Sequence, residues 1–274
     1  PYGQAVIEEI SGSVTGRPLG GRAEAVLKKD GSGQADVSLG IGVSRVSARG
    51  DWDKNIDVVA EFNPLNLADV LPDGAGKLDG SVRLSGAIES PNVVTKLQGD
   101  AIAYADQMVG RIAISADIQE LKRGSLSLDA SKLQLGGQAF NQLAVSGQGN
   151  LQQHEVTLML EGAPVRVDTL LKGGLDARNE QWRGAINSLN IAPKDSKAWA
   201  LNAPAELAYH LETSAFNMRR ACLEALPAVL CAEVQSAAGS TEAGIVLNDL
   251  DLSDFDAFVA AALDHPASLQ GKLS

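Results

Sequence analysis

The cysteines are the side chains with the clearest potential for chemistry. Cys222 and Cys231 are the only two in the chain, with eight residues between them. Two cysteines alone cannot supply a four-ligand zinc site, and their spacing is not the C-x-x-C redox motif. We favour a disulfide that closes a small loop, and the alternative is a pair of buried thiols in a short helix. A disulfide would place the protein outside the cytosol.

Histidine and glycine motifs give no catalytic or nucleotide-binding pattern. The histidines stand singly at His154, His210 and His265, without H-E-x-x-H or paired-ligand spacing. No serine lies in a G-x-S-x-G nucleophile elbow. The pairs Gly40-x-Gly42 and Gly147-x-Gly149 lack the third glycine of a dinucleotide-binding loop, and no P-loop is present. The sequence therefore predicts no enzyme and no cofactor.

One acidic segment begins like a calcium-binding loop. Asp249-x-Asp251-x-Ser253 has the first spacing of such a loop, which then needs glycine at 254 and an acid at 260. Asp254 and Ala260 stand there instead. We interpret the segment as solvated acids followed by a helix cap, and we predict no metal site.

Composition excludes several other functions. The 274 residues include 23 basic and 34 acidic side chains, for a net charge of −11. Without a basic cluster the chain is not expected to bind nucleic acid or an anionic membrane surface. The longest apolar run, Ala257–Leu263, is far shorter than the roughly 20 residues of a membrane-spanning helix. We expect the chain to be a fragment of a longer protein.

Alternation of apolar and polar residues dominates the chain and predicts mainly antiparallel β-structure. The longest alternating runs cover 37–43, 56–62, 112–118, 156–160 and 207–211. Shorter apolar pairs are Val82/Leu84, Leu126/Leu128, Leu133/Leu135, Val165/Val167 and Ile245/Leu247. Gly136-Gly137 and Gly173-Gly174 are predicted turns. Aromatic residues make up only 4% of the chain, which is little for one thick core.

Helix signals are few and predict short connectors. Leu65–Leu71 lies between Asn63-Pro64 and Pro72. Ser253 and Asp256 resemble a capping box before a run that ends near Leu263. Arg219–Leu230, interrupted at Pro227, is a third candidate.

An internal echo suggests a modular arrangement. The segment 78–85 (L-D-G-S-V-R-L-S) is matched by 269–274 (L-Q-G-K-L-S), and each follows a predicted short helix and a proline. We therefore divide the chain into a β-segment over 1–77 that ends in a short helix, a β-groove segment over 78–252, and a helix with the start of the next β-unit over 253–274.

The region from about 170 to 252 resembles the TamB family of the AsmA-like superfamily. The resemblance rests on these segments: G-G-L-D at 173–176, W-R-G-A-I at 182–186, L-N-I at 189–191, W-A-L-N-A-P-A-E-L at 199–207, Cys222-Leu223, Leu230-Cys231, and L-N-D-L-D-L at 247–252. Upstream, the strand pattern of 78–91 resembles the family's repeated strands.

This resemblance implies a periplasmic protein of a Gram-negative bacterium, tethered to the inner membrane by an N-terminal anchor. The family fold is an elongated antiparallel sheet curled into an apolar groove, the β-taco. The implied partner is a TamA-like outer-membrane barrel of the Omp85 type. The implied roles are phospholipid movement between the two membranes and assembly or secretion of outer-membrane proteins.

The alternating strands fit such a groove, because acyl chains could slide along a uniform apolar wall, where each buried methylene contributes about 0.8 kcal/mol. The candidate groove residues are Val82, Leu84, Ile112, Ile114, Leu126, Leu128, Leu133, Leu135, Val156, Leu158 and Leu160. Trp182 and Trp199 are expected to pack at a seam near the disulfide. An exposed strand edge could instead pair with an unfolded outer-membrane strand. The alternatives from other classes are a structural β-solenoid adhesin and a carbohydrate-active enzyme, but no fixed short period or paired acids indicate either.

Overall fold

The computed structural model describes residues 3–176, 178, 180–237, 240–251 and 272–273. Eighteen of the described strands form antiparallel sheet, which confirms the predicted mainly β fold. The chain divides into two compact units, residues 1–148 and 149–274. Among the described residues, no helix has the length and apolar character needed to cross a membrane.

Unit 1 is built from long strands joined by short turns. Its strands are β1 (Gly3–Val14), β2 (Arg17–Leu27), β3 (Gly33–Ile41), β4 (Ser44–Trp52), β5 (Asn55–Asn66), β6 (Gly74–Ala87), β7 (Asn92–Tyr104), β8 (Gln107–Gln119), β9 (Arg123–Leu135) and β10 (Gln138–Asn150), the last of which ends just beyond the unit boundary. From β1 to β9 each strand pairs antiparallel with the next. Gly136 and Gly137 form the predicted turn between β9 and β10, both with positive φ.

One short helix, α1 (Leu67–Val70), interrupts this sequence of strands inside the predicted segment Leu65–Leu71. Asn66 caps it, because its side-chain oxygen accepts a hydrogen bond from the backbone N–H of Ala68 at 3.2 Å. The preceding Pro64 belongs to β5 rather than to the helix.

Asp69 of α1 ties together two hairpin turns of unit 1. Its buried carboxylate accepts hydrogen bonds from the backbone N–H groups of Val43 and Ser44, both at 3.0 Å, and from Ser44 Oγ at 2.8 Å. The carbonyl of Asp69 accepts a hydrogen bond from Thr15 Oγ1 at 2.7 Å. These bonds hold α1 against the β1–β2 and β3–β4 turns, so Val43, predicted within a strand, lies in a turn.

Unit 2 is less regular. Its strands are β11 (His154–Gly162), β12 (Val165–Asp176), β13 (Gln181–Pro193), β14 (Trp199–Leu201), β15 (Ala205–His210), β16 (Phe216–Ala225), β17 (Ala228–Ala237), β18 (Ser240–Asn248) and β19 (Leu250–Asp251), which pairs with β20 (Lys272–Leu273). β13 pairs with both β14 and β15, and these two short strands both pair with β16. Leu211, predicted within a strand, follows the end of β15.

Two local predictions in unit 2 are wrong. Gly173-Gly174 lies inside β12 and not in a turn. Arg219–Leu230 is not a helix but most of the β16–β17 hairpin, with Pro227 in its turn. The predicted helix after Ser253, the calcium-like segment beyond Asp251 and most of the 269–274 echo lie outside the described residues.

Candidate functional site

In unit 1, register places all but one of the charged residues in the paired positions of β2 to β9 on one face of the sheet. Antiparallel partners share a face, so each row of partners can be followed from strand to strand. One such row is Ala23, Val37, Ala48, Ala60, Val82, Thr95, Ala116 and Leu126. Its neighbour is Gly21, Leu39, Val46, Phe62, Gly80, Leu97, Ile114 and Leu128. Apart from Arg17 at the start of β2, which is in register with Val14, none of the paired residues on this side from β2 to β9 is charged, and we call it the uncharged face of unit 1.

The kink at the ends of β7 and β9 keeps apolar residues on this face. Ala101 and Lys132 have positive φ, which interrupts the strict alternation. A Cβ built on Gly99 would lie 2.8 Å from Ile112 and 3.1 Å from Ile102, so both side chains are on the same side. Ile102 is in register with Val109, and Val109 with Leu133. Leu133 and Leu135 therefore belong to the uncharged face.

All eight groove candidates of unit 1 lie on the uncharged face. They are Val82, Leu84, Ile112, Ile114, Leu126, Leu128, Leu133 and Leu135. Most are half-buried: Leu133 is 4% exposed, whereas Leu126 is 45% exposed. Within unit 1 the described apolar residues that are fully buried are only Ala130 and Leu133. The face is thus apolar and largely uncovered, which is uncommon for a sheet in a monomeric protein.

The opposite face of unit 1 is polar and carries ion pairs across neighbouring strands. Arg83 binds Asp57 through two hydrogen bonds, with Nε at 2.9 Å from Oδ1 and Nη2 at 2.6 Å from Oδ2. Arg111 Nε lies 3.5 Å from Asp100 Oδ1. Such exposed pairs contribute little to stability individually, but they keep this face in water.

Unit 2 has an uncharged face of the same kind. The candidates Val156, Leu158 and Leu160 are in register with Leu171, Thr169 and Val167 on β12. The face continues across β13 to β18 without a charged residue in the paired positions. Thr157 and Met159 project to the other side, where Arg166 donates a 2.9 Å hydrogen bond from Nε to Asp168 Oδ2. That bond lowers the pKa of the Asp168 carboxyl.

Aromatic residues gather at one end of this face. Trp182, Tyr209 and Phe216 form one row across β13, β15 and β16. The Trp182 indole lies over two glycines, since a Cβ on Gly173 or Gly184 would collide with its ring. Its Nε1–H donates a 2.9 Å hydrogen bond to His154 Nε2. Gly173, the first glycine of the predicted turn, therefore makes room for an aromatic ring inside a strand.

Cys222 and Cys231 form a disulfide across the β16–β17 hairpin. They are directly opposite each other, with Cα atoms 4.0 Å apart. Their neighbours Leu223 and Leu230 lie on the uncharged face, so the disulfide lies on the charged face. Trp182 and Trp199 lie on the uncharged face, and the predicted seam near the disulfide is therefore wrong.

A comparison with protein families identifies the chain's relatives. The model of the family described as "TamB, N-terminal domain" matches residues 4–274, nearly the whole chain. The chain belongs to the TamB family. A translocation and assembly module subunit TamB of Haemophilus influenzae is 25% identical over 189 residues, which are 68% of this chain and 15% of that protein. No solved structure is significantly similar.

The sequence prediction missed two polar groups of this TamB-family chain. Asp69 is almost fully buried, and hydrogen bonds from Ser44 and from the Val43 N–H, together with the nearby Arg17, lower its pKa. Nothing in the local sequence distinguishes it from other acids. For Trp182 the sequence carried one weak signal: Gly184 follows two residues later, on the same face of the strand, and leaves space for the indole ring. Nothing in the sequence pointed to His154 as its partner. Among the described residues, no group of three or more potential metal ligands occurs.

Proposed function

We propose that the uncharged faces of the two units bind phospholipid acyl chains, as part of a TamB-like protein that conducts phospholipids between the inner and outer membranes. The observation that carries the proposal is the separation of charge in both units. Apart from Arg17 at the start of β2, every charged residue in the paired positions from β2 to β9 lies on one face, and the opposite face is apolar and half-exposed.

The exposure of this face distinguishes it from a sandwich core. In a sandwich, a second sheet about 10 Å away would bury the inward-facing leucines and valines. Here Val82, Leu84 and Ile114 remain half-buried. Covering this surface with an acyl chain contributes a favourable free energy of about 25 cal/mol for each Å² of apolar surface removed from water.

The uniformity of the face supports movement rather than storage. Adjacent strands are about 4.8 Å apart, so a row of eight strands from Ala23 to Leu126 extends about 34 Å. The hydrocarbon core of one bilayer leaflet is about 15 Å thick, so the row is longer than one acyl chain in a leaflet. An acyl chain that advances by one strand loses and regains similar contacts with the protein, so its movement needs no catalytic group.

Family membership supports the cellular setting that we propose. We place the chain in the periplasm of a Gram-negative bacterium, as part of a protein anchored in the inner membrane and partnered by a TamA-like barrel of the Omp85 type. The Cys222–Cys231 disulfide supports an oxidising compartment. Assembly of outer-membrane proteins is the second function attached to the family, and unfolded outer-membrane proteins would then be the cargo.

A matched pair of charge substitutions tests the lipid path. Ile114 and Ser115 are consecutive in β8 and lie on opposite faces, and Ser115 is in register with Lys96. In the full-length protein in cells, Ile114→Asp should slow transfer of labelled phospholipid to the outer membrane about tenfold or more, because an acyl chain cannot solvate a carboxylate. Ser115→Asp should leave transfer unchanged. Equal transfer by both variants, at equal protein levels, would contradict the proposal.

A further inference from the structure

The hydrogen bond between Trp182 and His154 fixes the protonation state of the histidine. An indole N–H can only donate, so His154 Nε2, 2.9 Å away, must accept and carries no proton. His154 Nδ1 lies 3.0 Å from the carbonyl oxygen of Asn150, which can only accept. Both contacts are therefore satisfied by one state, the neutral imidazole with its proton on Nδ1.

We propose that this pair is a proton-sensitive latch on the uncharged face of unit 2. A second proton on His154 would have to bind Nε2, directly facing the Trp182 N–H. Two donors then point at each other, and the hydrogen bond is replaced by repulsion. Histidine is the residue type that ordinarily changes charge between pH 5 and 8, and this is therefore the interval in which the latch is tested.

The residues that surround His154 on its own face could do little to stabilise the positive charge of an imidazolium. Its neighbours there are Val156 on β11, Gly173 and Leu175 on β12, and Gly184 on β13. Residues 149–153, which precede it, contain no titratable side chain. The titratable group nearest to Trp182 on this face is Tyr209. The charged residues of β11 to β13 nearest to the pair lie on the charged face: Glu155, Lys172, Asp176 and Arg183.

Opening the latch would change the shape of the apolar surface. The rings of His154 and Trp182 lie side by side, with centroids 6.1 Å apart and planes at 28°. Once released, the indole no longer has to lie over Gly173 and Gly184. The two glycine backbones then form a notch at the end of β11, two residues from Val156. This last step rests on the proposed function, since it makes the latch a regulator of lipid contact at Val156.

A second tryptophan provides an internal control. Trp52 in unit 1 also lies over a glycine, because a Cβ on Gly33 would come within 2.6 Å of its ring. Its Nε1–H donates to the backbone carbonyl of Gly31 at 3.2 Å. A backbone carbonyl does not titrate in this range, so Trp52 should be insensitive to pH.

The test follows each indole N–H resonance by NMR in the 274-residue chain between pH 8 and pH 5. The Trp182 signal should shift in a single-proton titration, while the Trp52 signal stays fixed. His154→Gln should abolish the shift, since the glutamine carbonyl accepts the same hydrogen bond without titrating. A Trp182 signal that does not move, or one that still titrates in the glutamine variant, would overturn the latch.

A parallel assay separates the latch from the lipid proposal. A photo-crosslinker at position 156 of the full-length protein should give phospholipid adducts whose yield differs between pH 8 and pH 5, and His154→Gln should remove that difference. Equal yields at both pH values, despite an NMR titration, would overturn the regulatory role. The absence of adducts at any pH would contradict the proposed function, whereas the NMR titration tests the latch independently.

Discussion

The two units hold an uncharged face in different ways. In unit 1 each strand from β1 to β9 pairs with the next along long registers, and α1 adds the Asp69 cluster at the hairpin turns. In unit 2 the ladder is interrupted, because β14 and β15 share the place of one strand between β13 and β16. There the Cys222–Cys231 disulfide and the Trp182–His154 pair add cross-strand links. We infer from this comparison that long regular pairing supports most of the open apolar face of unit 1, and that the interrupted sheet of unit 2 depends more on its cross-strand links.

The largest expected effect tests whether unit 1 has a core despite its open face. Leu133 is buried, so Leu133→Ala should lower the free energy of unfolding by about 2–5 kcal/mol. Leu126→Ala, on the same strand but 45% exposed, should cost much less. Urea denaturation of both variants measures the difference. Equal losses would show that burial does not distinguish these two sites.

Removing the disulfide tests whether unit 2 depends on its covalent link. Cys222→Ala with Cys231→Ala should destabilise the chain by about 2–3 kcal/mol, because the unfolded state regains the entropy of a small loop. Hydrogen exchange should accelerate in β16 and β17 and stay unchanged in β8 and β9. Faster exchange in both pairs of strands would contradict the assignment of this link to unit 2.

Filling the space under Trp182 tests the aromatic link. Gly173→Ala should cost about 1–3 kcal/mol, since its Cβ would collide with the indole. Gly12→Ala is the control, because its Cβ would make an ordinary 3.8 Å contact with Leu19. Thermal denaturation of the two variants gives the comparison, and an effect at Gly12 as large as that at Gly173 would rule out the indole as the cause.

The smallest expected effect concerns the stability of unit 1 at acidic pH. The pKa of Asp69 is lowered in the folded chain, so its ionised form stabilises the fold at neutral pH. That contribution is complete above the ordinary carboxyl range and is lost as the pH falls through the lowered pKa. Denaturation midpoints recorded from pH 7 to pH 2 should fall less steeply for Asp69→Asn than for the unmodified chain. Parallel curves would show that this carboxylate is not linked to folding.

The sequence predicted which residues share a face of the sheet better than it predicted the segments that connect the strands. Alternation at Ile112, Ile114, Val156 and Leu158 was sufficient to group these residues on apolar faces, because the period of two is a property of the strand itself. Whether each face would be covered by another layer could not be read from the alternation. The exposure of the face is a tertiary property.

The errors occurred where a distant contact decides the local structure. Gly173-Gly174 has the composition of a turn, but the Trp182 ring and the backbone of Gln152 occupy the space in which their side chains would lie. The composition of Arg219–Leu230 is typical of an interrupted helix, although its proline lies in the turn of a hairpin. The buried role of Asp69 depends on turns 25 to 54 residues away in sequence. Local patterns do not carry such information.

The most direct measurement is photo-crosslinking at each position from Val156 to Leu160 in the full-length protein in cells. The account predicts phospholipid adducts at Val156, Leu158 and Leu160, and none at Thr157 or Met159, which lie on the charged face. Adducts only with outer-membrane polypeptides would favour the assembly function. Absence of adducts in the folded protein, or equal lipid adducts at all five positions, would contradict an acyl-chain path along the uncharged face.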